Sequence, residues 1–247
     1  MVARFRSAAA GDLPGVVLVE GRKLVGEALR AGLRPREVAC SPRFRDEGLR
    51  ATLRAKARVF ADCSDPVLAR MSALTTHQGI AVLFERRQIA EEDLLSENPL
   101  IAAAAGVRDP GNLGALIRTA EAAGATGFLS LAGGADPFRD KAVRGAMGSL
   151  FRLPVLHGID VPGLLSFASR HSLQLVAADG SGAVDHREAD FTRPTVLVLG
   201  GEGAGIPPGL AERADLRVRI DIEAPVESLN VAVAAGVLLF EARRQRG

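Results

Sequence analysis

IDIEAPVESLNVAVAAGVLLFEARRQRG, residues 220–247, is the stretch on which the reading of the fold turns. A short β-like end at Ile220 passes into a loop carrying Pro225, and the loop runs into an apolar helix predicted over residues 228–244. Ser228 and Asn230 then fall in its first turn, where backbone N–H groups without intrahelical partners face outward. Such a junction suits a ligand, although an ordinary helix cap reads the same way. Working back from it, strands are predicted at residues 217–220, 195–199, 174–178, around Val155, 127–131 and 100–105. Helices are predicted at 161–170, within 137–146 and at 113–123. Strands alternating with helices in this way argue for an α/β fold, with a mostly parallel sheet covered on both faces.

Ahead of this region the pattern restarts. Short apolar runs at residues 16–20, 37–40, 58–61 and 79–84 alternate with helical stretches at 21–31, 44–55 and 67–72, which describes a small α/β sandwich. Residues 86–99 are charged, end in Asn98-Pro99 and lack a sustained apolar face, so they read as a linker with at most a short acidic helix. Two domains are therefore expected, residues 1–97 and 98–247.

The 247 residues are 47% hydrophobic, enough for packed cores. No apolar run reaches the roughly 18 residues of a membrane span, and the first residues lack the apolar core of a secretory signal, so a cytoplasmic protein is expected. Cys40 and Cys63 stand in no metal-like spacing and read as buried reduced thiols. His77, His157, His171 and His186 are scattered, and no metal is expected. Residues 1–60 carry 13 of the 31 Lys+Arg but only 6 of the 29 Asp+Glu, a surplus of +7 against −5 for the remainder. All cations but Lys23, Lys56 and Lys141 are arginine, which forms bidentate phosphate contacts; a GC-rich genome produces the same bias. With no Trp or Tyr, any grip on RNA leans on arginine and backbone rather than on stacking.

Gly200-Gly201-Glu202-Gly203-Ala204-Gly205 invites a dinucleotide reading that fails. Counting on from Gly203 and Gly205 puts Pro208 where the third glycine belongs, and the segment follows a late strand instead of the first. No G-K-[ST] exists, which excludes a P-loop. Glycines here let backbone approach a flat heterocycle such as adenine.

Three segments in order, VRDPGNLGALIRTAEAAG (107–124), LVLGGEGAGI (197–206) and IDIEAPVESLNVAVAA (220–235), together with KAVRGAMGSLFRLP (141–154), closely resemble the SpoU-type (TrmH-like) RNA ribose methyltransferases of the SPOUT superfamily. One departure is visible: Asp221 and Ile222 stand where many relatives have Pro and Met. EGRKLV (20–25) and HQGIA (77–81) resemble the ribosomal-protein-like RNA-binding domain often fused ahead of such catalytic domains. The plainer alternatives are a strand-to-helix turn at Glu20-Gly21 and an exposed loop residue at His77.

The resemblance implies a C-terminal trefoil knot holding S-adenosylmethionine against Leu199, Gly201, Ile220, Ser228, Leu229 and Asn230, mostly by main-chain contacts. It implies a homodimer paired through the knotted region and last helix, where Leu229, Val233, Val237 and Phe240 form an apolar stripe. It makes Arg118 the central catalytic residue, with Asn112, Glu202, Ser228 and Asn230 beside it; Asn112 is expected to act from the loop before its helix. Alternatively, Arg118 forms a surface salt bridge with Glu121. Arg144, Arg152, Arg244 and Arg246 are candidate phosphate contacts. The expected function is S-adenosylmethionine-dependent 2′-O-methylation of RNA, with ribosomal RNA favoured by the fused N-terminal domain. A tRNA ribose methyltransferase and a non-catalytic RNA-binding or ribosome-assembly factor are the rivals; the five intact site residues argue against the second.

Overall fold

The computed structural model describes residues 1–201, 203 and 205–247, and these fall into two compact units. The first comprises Met1–Gln88 and Phe138–Arg152. Its strands β1 (Val16–Glu20), β2 (Pro35–Cys40), β3 (Val59–Asp62) and β4 (Ile80–Glu85) form a sheet of order β1-β4-β2-β3. β4 runs antiparallel to β1 and β2, and β2 pairs parallel with β3. Around the sheet lie α1 (Val2–Ala10), α2 (Arg22–Arg30), α3 (Glu47–Lys56) and α4 (Asp65–Ala69). α1 was not foreseen from sequence. Its polar and alanine-rich residues carry little apolar periodicity, yet Phe5 and Ala8 enter the core beside Val16, Leu18, Leu68 and Leu83, and Gly11 closes the helix at φ 84°.

The second unit, Ile89–Pro137 and Leu153–Gly247, contains β5 (Leu100–Ala105), α5 (Pro110–Ala122) and β6 (Gly127–Leu131). After α6 (Asp140–Ala146), which packs with the first unit, come β7 (Val155–Ile159), α7 (Val161–Arg170), β8 (Gln174–Ala178) and β9 (Val184–Asp185). β10 (Thr195–Gly200), α8 (Pro208–Ala211), β11 (Leu216–Arg219) and α9 (Val231–Arg246) complete it. The sheet has the order β7-β6-β5-β10-β8-β11-β9, and every recorded pairing in it is parallel. β5 is buried along its whole length and β10 nearly so, as strands covered on both faces must be, which is why they read as unbroken apolar runs. One face of the sheet packs on Leu164, Phe167 and Leu210. α5 and α9 pack against each other, through helices that bury Leu113, Leu116, Ile117 and Ala120 on one and Ala235, Leu238 and Leu239 on the other.

The connections through α5 and β6 carry the chain outward from β5 on one side, whereas β10 and β8 lie on the other. β5 and β10 therefore meet at a switch point, and ligands of open α/β sheets bind at the carboxyl ends of the strands beside it. Two helix boundaries differ from the sequence reading. α5 begins at Pro110, because Asp109 caps it by accepting from the backbone N–H of Asn112 at 3.0 Å; Asn112 is thus inside the first turn and not in the preceding loop. α9 begins only at Val231, because Asn230 is the extended cap residue, at φ −53° and ψ 138°. Ser228 and Leu229 accordingly lie in the loop.

The thiols are free: Cys40 is buried and Cys63 half-buried, so the second is less enclosed than expected. Burial pushes the Cys40 thiol up to about 11. No helix among the described residues is long and apolar enough to cross a membrane.

Candidate active site

At the carboxyl ends of β8, β10 and β11 lies a cavity of about 500 Å³, within the range of small-ligand sites. Its walls include Leu199 at the end of β10, Gly201, Ile220 after β11, and Ser228 and Leu229 from the loop before α9. The sequence thus pointed to five residues that converge on one place. Asn230 is not among the lining residues; it stands at the edge as the cap of α9. Glu202 lies outside the described residues.

Gly200, Gly201 and Gly205 supply part of this wall in close mutual contact. Gly201 donates its N–H to the Ala105 carbonyl at 2.8 Å, and Gly205 donates to the Gly201 carbonyl at 3.0 Å. A β-carbon on Gly201 would stand 2.1 Å from the Gly106 oxygen, and one on Gly200 2.4 Å from the Gly205 carbonyl carbon. Both contacts are with backbone, so no side chain can move aside, and glycine is required for close approach, not for an unusual φ. Gly201→Ala is expected to displace the loop, cost about 1–3 kcal/mol of stability and remove ligand binding; an unchanged melting temperature and affinity would show that the loop is less tightly packed.

The remaining walls suit a flat apolar ring with polar, cationic attachments. Leu199, Ile220, Leu229 and Leu238 supply apolar surface, and Asp179 and Glu227 place carboxylates on the lining. Burial raises the pKa of Asp179, but the backbone and hydroxyl of Ser181 and the Arg217 guanidinium outweigh it and hold the carboxyl below its usual range. Ile222, in the position where the resemblance led us to expect Met, also lines the cavity. Asp221 instead turns to Arg219 at 3.0 Å and Arg187 at 3.4 Å, so the departure places an ion-pair network beside an apolar wall residue. Asp179 was not singled out from sequence, since it has no local signature.

α5 and α9 bring the first and third segments together. Asn230 accepts from the Ala232 N–H at 2.9 Å and donates through its amide nitrogen to Asn112 Oδ1 at 3.2 Å. Farther along, Arg243 donates to the Ala122 carbonyl at the end of α5 at 2.8 Å. Arg118 lies six residues after Asn112, a rise of about 9 Å and a turn that puts it on another stripe. It is exposed and forms no hydrogen bond or ion pair with any described residue. The salt bridge with Glu121 is therefore not formed, and this guanidinium is available.

Several other arginines are already engaged. Arg144 pairs with Asp140, Arg152 with Glu27 at 2.8 Å, and Arg244 with Glu241 at 2.7 Å. Arg246, expected as a phosphate contact, donates instead to the carbonyls of Phe191, Asn98 and Arg193; burial lowers its pKa, and it ties the end of α9 to the segments that precede β5 and β10. In the first unit, Gln78 accepts from the Arg22 N–H at 3.2 Å. His77 is 7% exposed and accepts from the Gly79 N–H at 3.2 Å, so it is not an exposed loop residue. The described residues contain no group of three or more His, Cys, Asp or Glu placed to hold a metal.

A cavity walled by backbone and apolar side chains at the carboxyl ends of β8, β10 and β11, with the Asn112–Asn230 amide pair beside it, defines a small-ligand site in an α/β domain. Residues 99–240 match the SpoU rRNA Methylase family and residues 12–82 the MRM3-like substrate binding domain; the chain belongs to the SpoU rRNA methylase family. It is 30% identical to the 23S rRNA (guanosine(2553)-2′-O)-methyltransferase RlmP of Bacillus subtilis, over 92% of this chain and 88% of that protein. The AdoMet-bound SpoU methyltransferase AviRb of Streptomyces viridochromogenes superposes with a TM-score of 0.89 and 27% identity, covering 99% of this chain and 98% of the other. An AdoMet-bound rRNA methyltransferase from Sinorhizobium meliloti superposes at 0.85 with 33% identity, over 98% and 94%. The chain is an S-adenosylmethionine-dependent RNA methyltransferase.

Proposed function

We propose that this protein methylates a ribose 2′-oxygen of ribosomal RNA in the cytoplasm, acting as a homodimer. The observation that carries the catalytic reading is the Asn230–Asn112 bond, which ties the edge of the cavity to the helix bearing Arg118. In this reading the loops at residues 200–206 and 220–230 form the trefoil knot. The cofactor lies among Leu199, Gly201, Ile220, Ser228 and Leu229, with its sulfonium charge favoured by the carboxylates of Asp179 and Glu227, and Asn230 steadies its edge. When bound it supplies an already activated methyl group.

What the protein must add is positioning, since a near-attack geometry supplies much of the barrier reduction. The ribose oxygen forms a bond to the methyl carbon as the sulfur–carbon bond breaks, and the hydroxyl proton leaves to water or a phosphate oxygen. A guanidinium is a poor base, so Arg118 holds the target nucleotide's phosphate and orients the hydroxyl. Asn112 and Asn230 fix the two helix starts, Ser228 hydrogen-bonds cofactor or substrate, and Glu202 is a candidate RNA contact. Residues 1–97 bind RNA and residues 98–247 carry catalysis.

Dimerisation is supported by α9, which has two apolar faces. Val231, Ala235, Leu238, Leu239 and Ala242 are buried within the subunit, while Val233 and Phe240 remain 53% and 48% exposed, with Val237 on the same side. A helix apolar all round is ordinarily buried all round, and a second copy would cover the outer face. Light scattering should report about twice the 25.9 kDa chain mass; a monomer at micromolar concentration would contradict the dimer. S-adenosylmethionine at a hundredfold excess over its Kd should stabilise the fold by about 2.7 kcal/mol, whereas NAD should do nothing. Tight NAD binding without S-adenosylmethionine binding would contradict the cofactor reading.

A further inference from the structure

A second cavity, of about 550 Å³, opens at the carboxyl ends of β5, β6 and β7. Gly205 lines both cavities. Gly201, which lines the first cavity, donates its N–H to the carbonyl of Ala105, and Ala105 lines the second. Asp109, another lining residue, caps α5 through the Asn112 N–H, and Asn112 is bonded to Asn230 at the first cavity. The start of α5 therefore stands between two neighbouring spaces, each large enough for a small organic ligand.

Their chemistry differs. Leu131, Ile159 and Val161 give the second cavity apolar sides suited to a ring, and its acidic groups are Asp109 and Asp160. Asp160 caps α7 with Oδ1, which accepts from the Gly163 N–H at 2.8 Å. Its other oxygen has no hydrogen-bond partner among the described residues.

We infer that this second cavity receives the base of the target nucleotide and that Asp160 reads it as guanine. The inference rests on the proposed RNA methylation and adds the site and identity of the base. An enzyme acting on a structured RNA commonly takes its nucleotide out of the stack and reads the Watson–Crick edge in a pocket. An ionised carboxylate only accepts hydrogen bonds. Guanine offers it two adjacent donors, N1–H and the N2 amino group. Adenine and cytosine present a ring-nitrogen lone pair beside their single amino donor, and uracil flanks its N3–H with two carbonyl oxygens, all of which a carboxylate repels. Arg108, exposed on the rim, is placed to meet the adjoining backbone phosphate.

The test uses the full chain saturated with S-adenosylhomocysteine, so that the first cavity is filled, and measures binding of 5′-GMP, AMP, CMP and UMP by saturation-transfer NMR. GMP should bind about tenfold more tightly than the others, the discrimination of one good bidentate contact. Asp160→Asn preserves a helix cap, since Asn caps as well as Asp, but turns the free oxygen into a donor; the guanine preference should disappear. Ala132→Trp, at an exposed lining position, should abolish GMP binding and leave S-adenosylmethionine affinity unchanged. Equal binding of the four nucleotides, an undiminished preference in Asp160→Asn, or loss of S-adenosylmethionine instead of GMP in Ala132→Trp would each overturn the inference. Selective GMP binding by a chain that methylates no RNA would instead count against the proposed function.

Discussion

Replacing Arg118 by alanine is expected to lower methyl transfer by about a hundred- to a thousandfold, the scale on which a positioned charge contact to the reacting group is lost, while S-adenosylmethionine affinity stays unchanged. The separation follows from geometry. Arg118 lies on α5, is not part of the cavity lining and holds no other described residue, so its removal breaks no cofactor contact and no packing. Each tenfold loss corresponds to about 1.4 kcal/mol of barrier. Arg118→Lys keeps the charge but lacks the planar fork that engages two phosphate oxygens, and should recover little. Single-turnover methylation at saturating cofactor, alongside calorimetry of cofactor binding, measures the two effects independently. An active Arg118→Ala enzyme would remove this residue from the mechanism.

The second large effect is expected at Asn230, where two roles meet in one side chain. Its oxygen caps α9 through Ala232, and its nitrogen bonds Asn112 Oδ1. Asn230→Ala removes both and should cost about 1 kcal/mol of stability from the lost cap, with weaker cofactor binding and much slower turnover. Asn230→Asp keeps the cap acceptor but has no donor for Asn112, and sets two oxygens facing each other. It should therefore melt like the parent protein yet remain as slow as the alanine variant. If Asn230→Asp instead kept both turnover and stability, the bridge would be dispensable and Asn230 would be a helix cap alone. Asn112→Asp provides the complement, since a carboxylate can still accept from Asn230.

The parallel sheet was legible because its strands are buried on both faces. LIAAAA and TVLVLG leave few other readings once helical stretches separate them. Leu199, Gly201, Ile220, Ser228 and Leu229 could be grouped in advance because the segments 197–206 and 220–235 resemble those of a known family; of these segments only the glycine loop and the Ser228–Asn230 junction have signatures of their own. What the sequence did not disclose depends on contacts distant along the chain. α1 owes its place to Phe5 and Ala8 meeting a core built from β1, α4 and β4. The two-residue β9 forms because Val218 and Arg219 of β11 lie alongside it. Helix starts shifted by three residues at α5 and α9 because Asp109 and Asn230 act as caps, a choice among several polar residues that propensity alone does not make. Arg246 looked like a free cation at a helix end, and only the folded chain shows three carbonyls converging on it.

In the proposed reaction this chain moves a methyl group from S-adenosylmethionine to a ribose oxygen of ribosomal RNA. The direct measurement is to incubate the purified protein and methyl-labelled S-adenosylmethionine with ribosomal RNA from a strain lacking the enzyme, digest the RNA to nucleosides and locate the label by mass spectrometry. Label is expected in one 2′-O-methylated nucleoside and is lost in Arg118→Ala. Label on a base, or none in RNA with S-adenosylmethionine demonstrably bound, would contradict it.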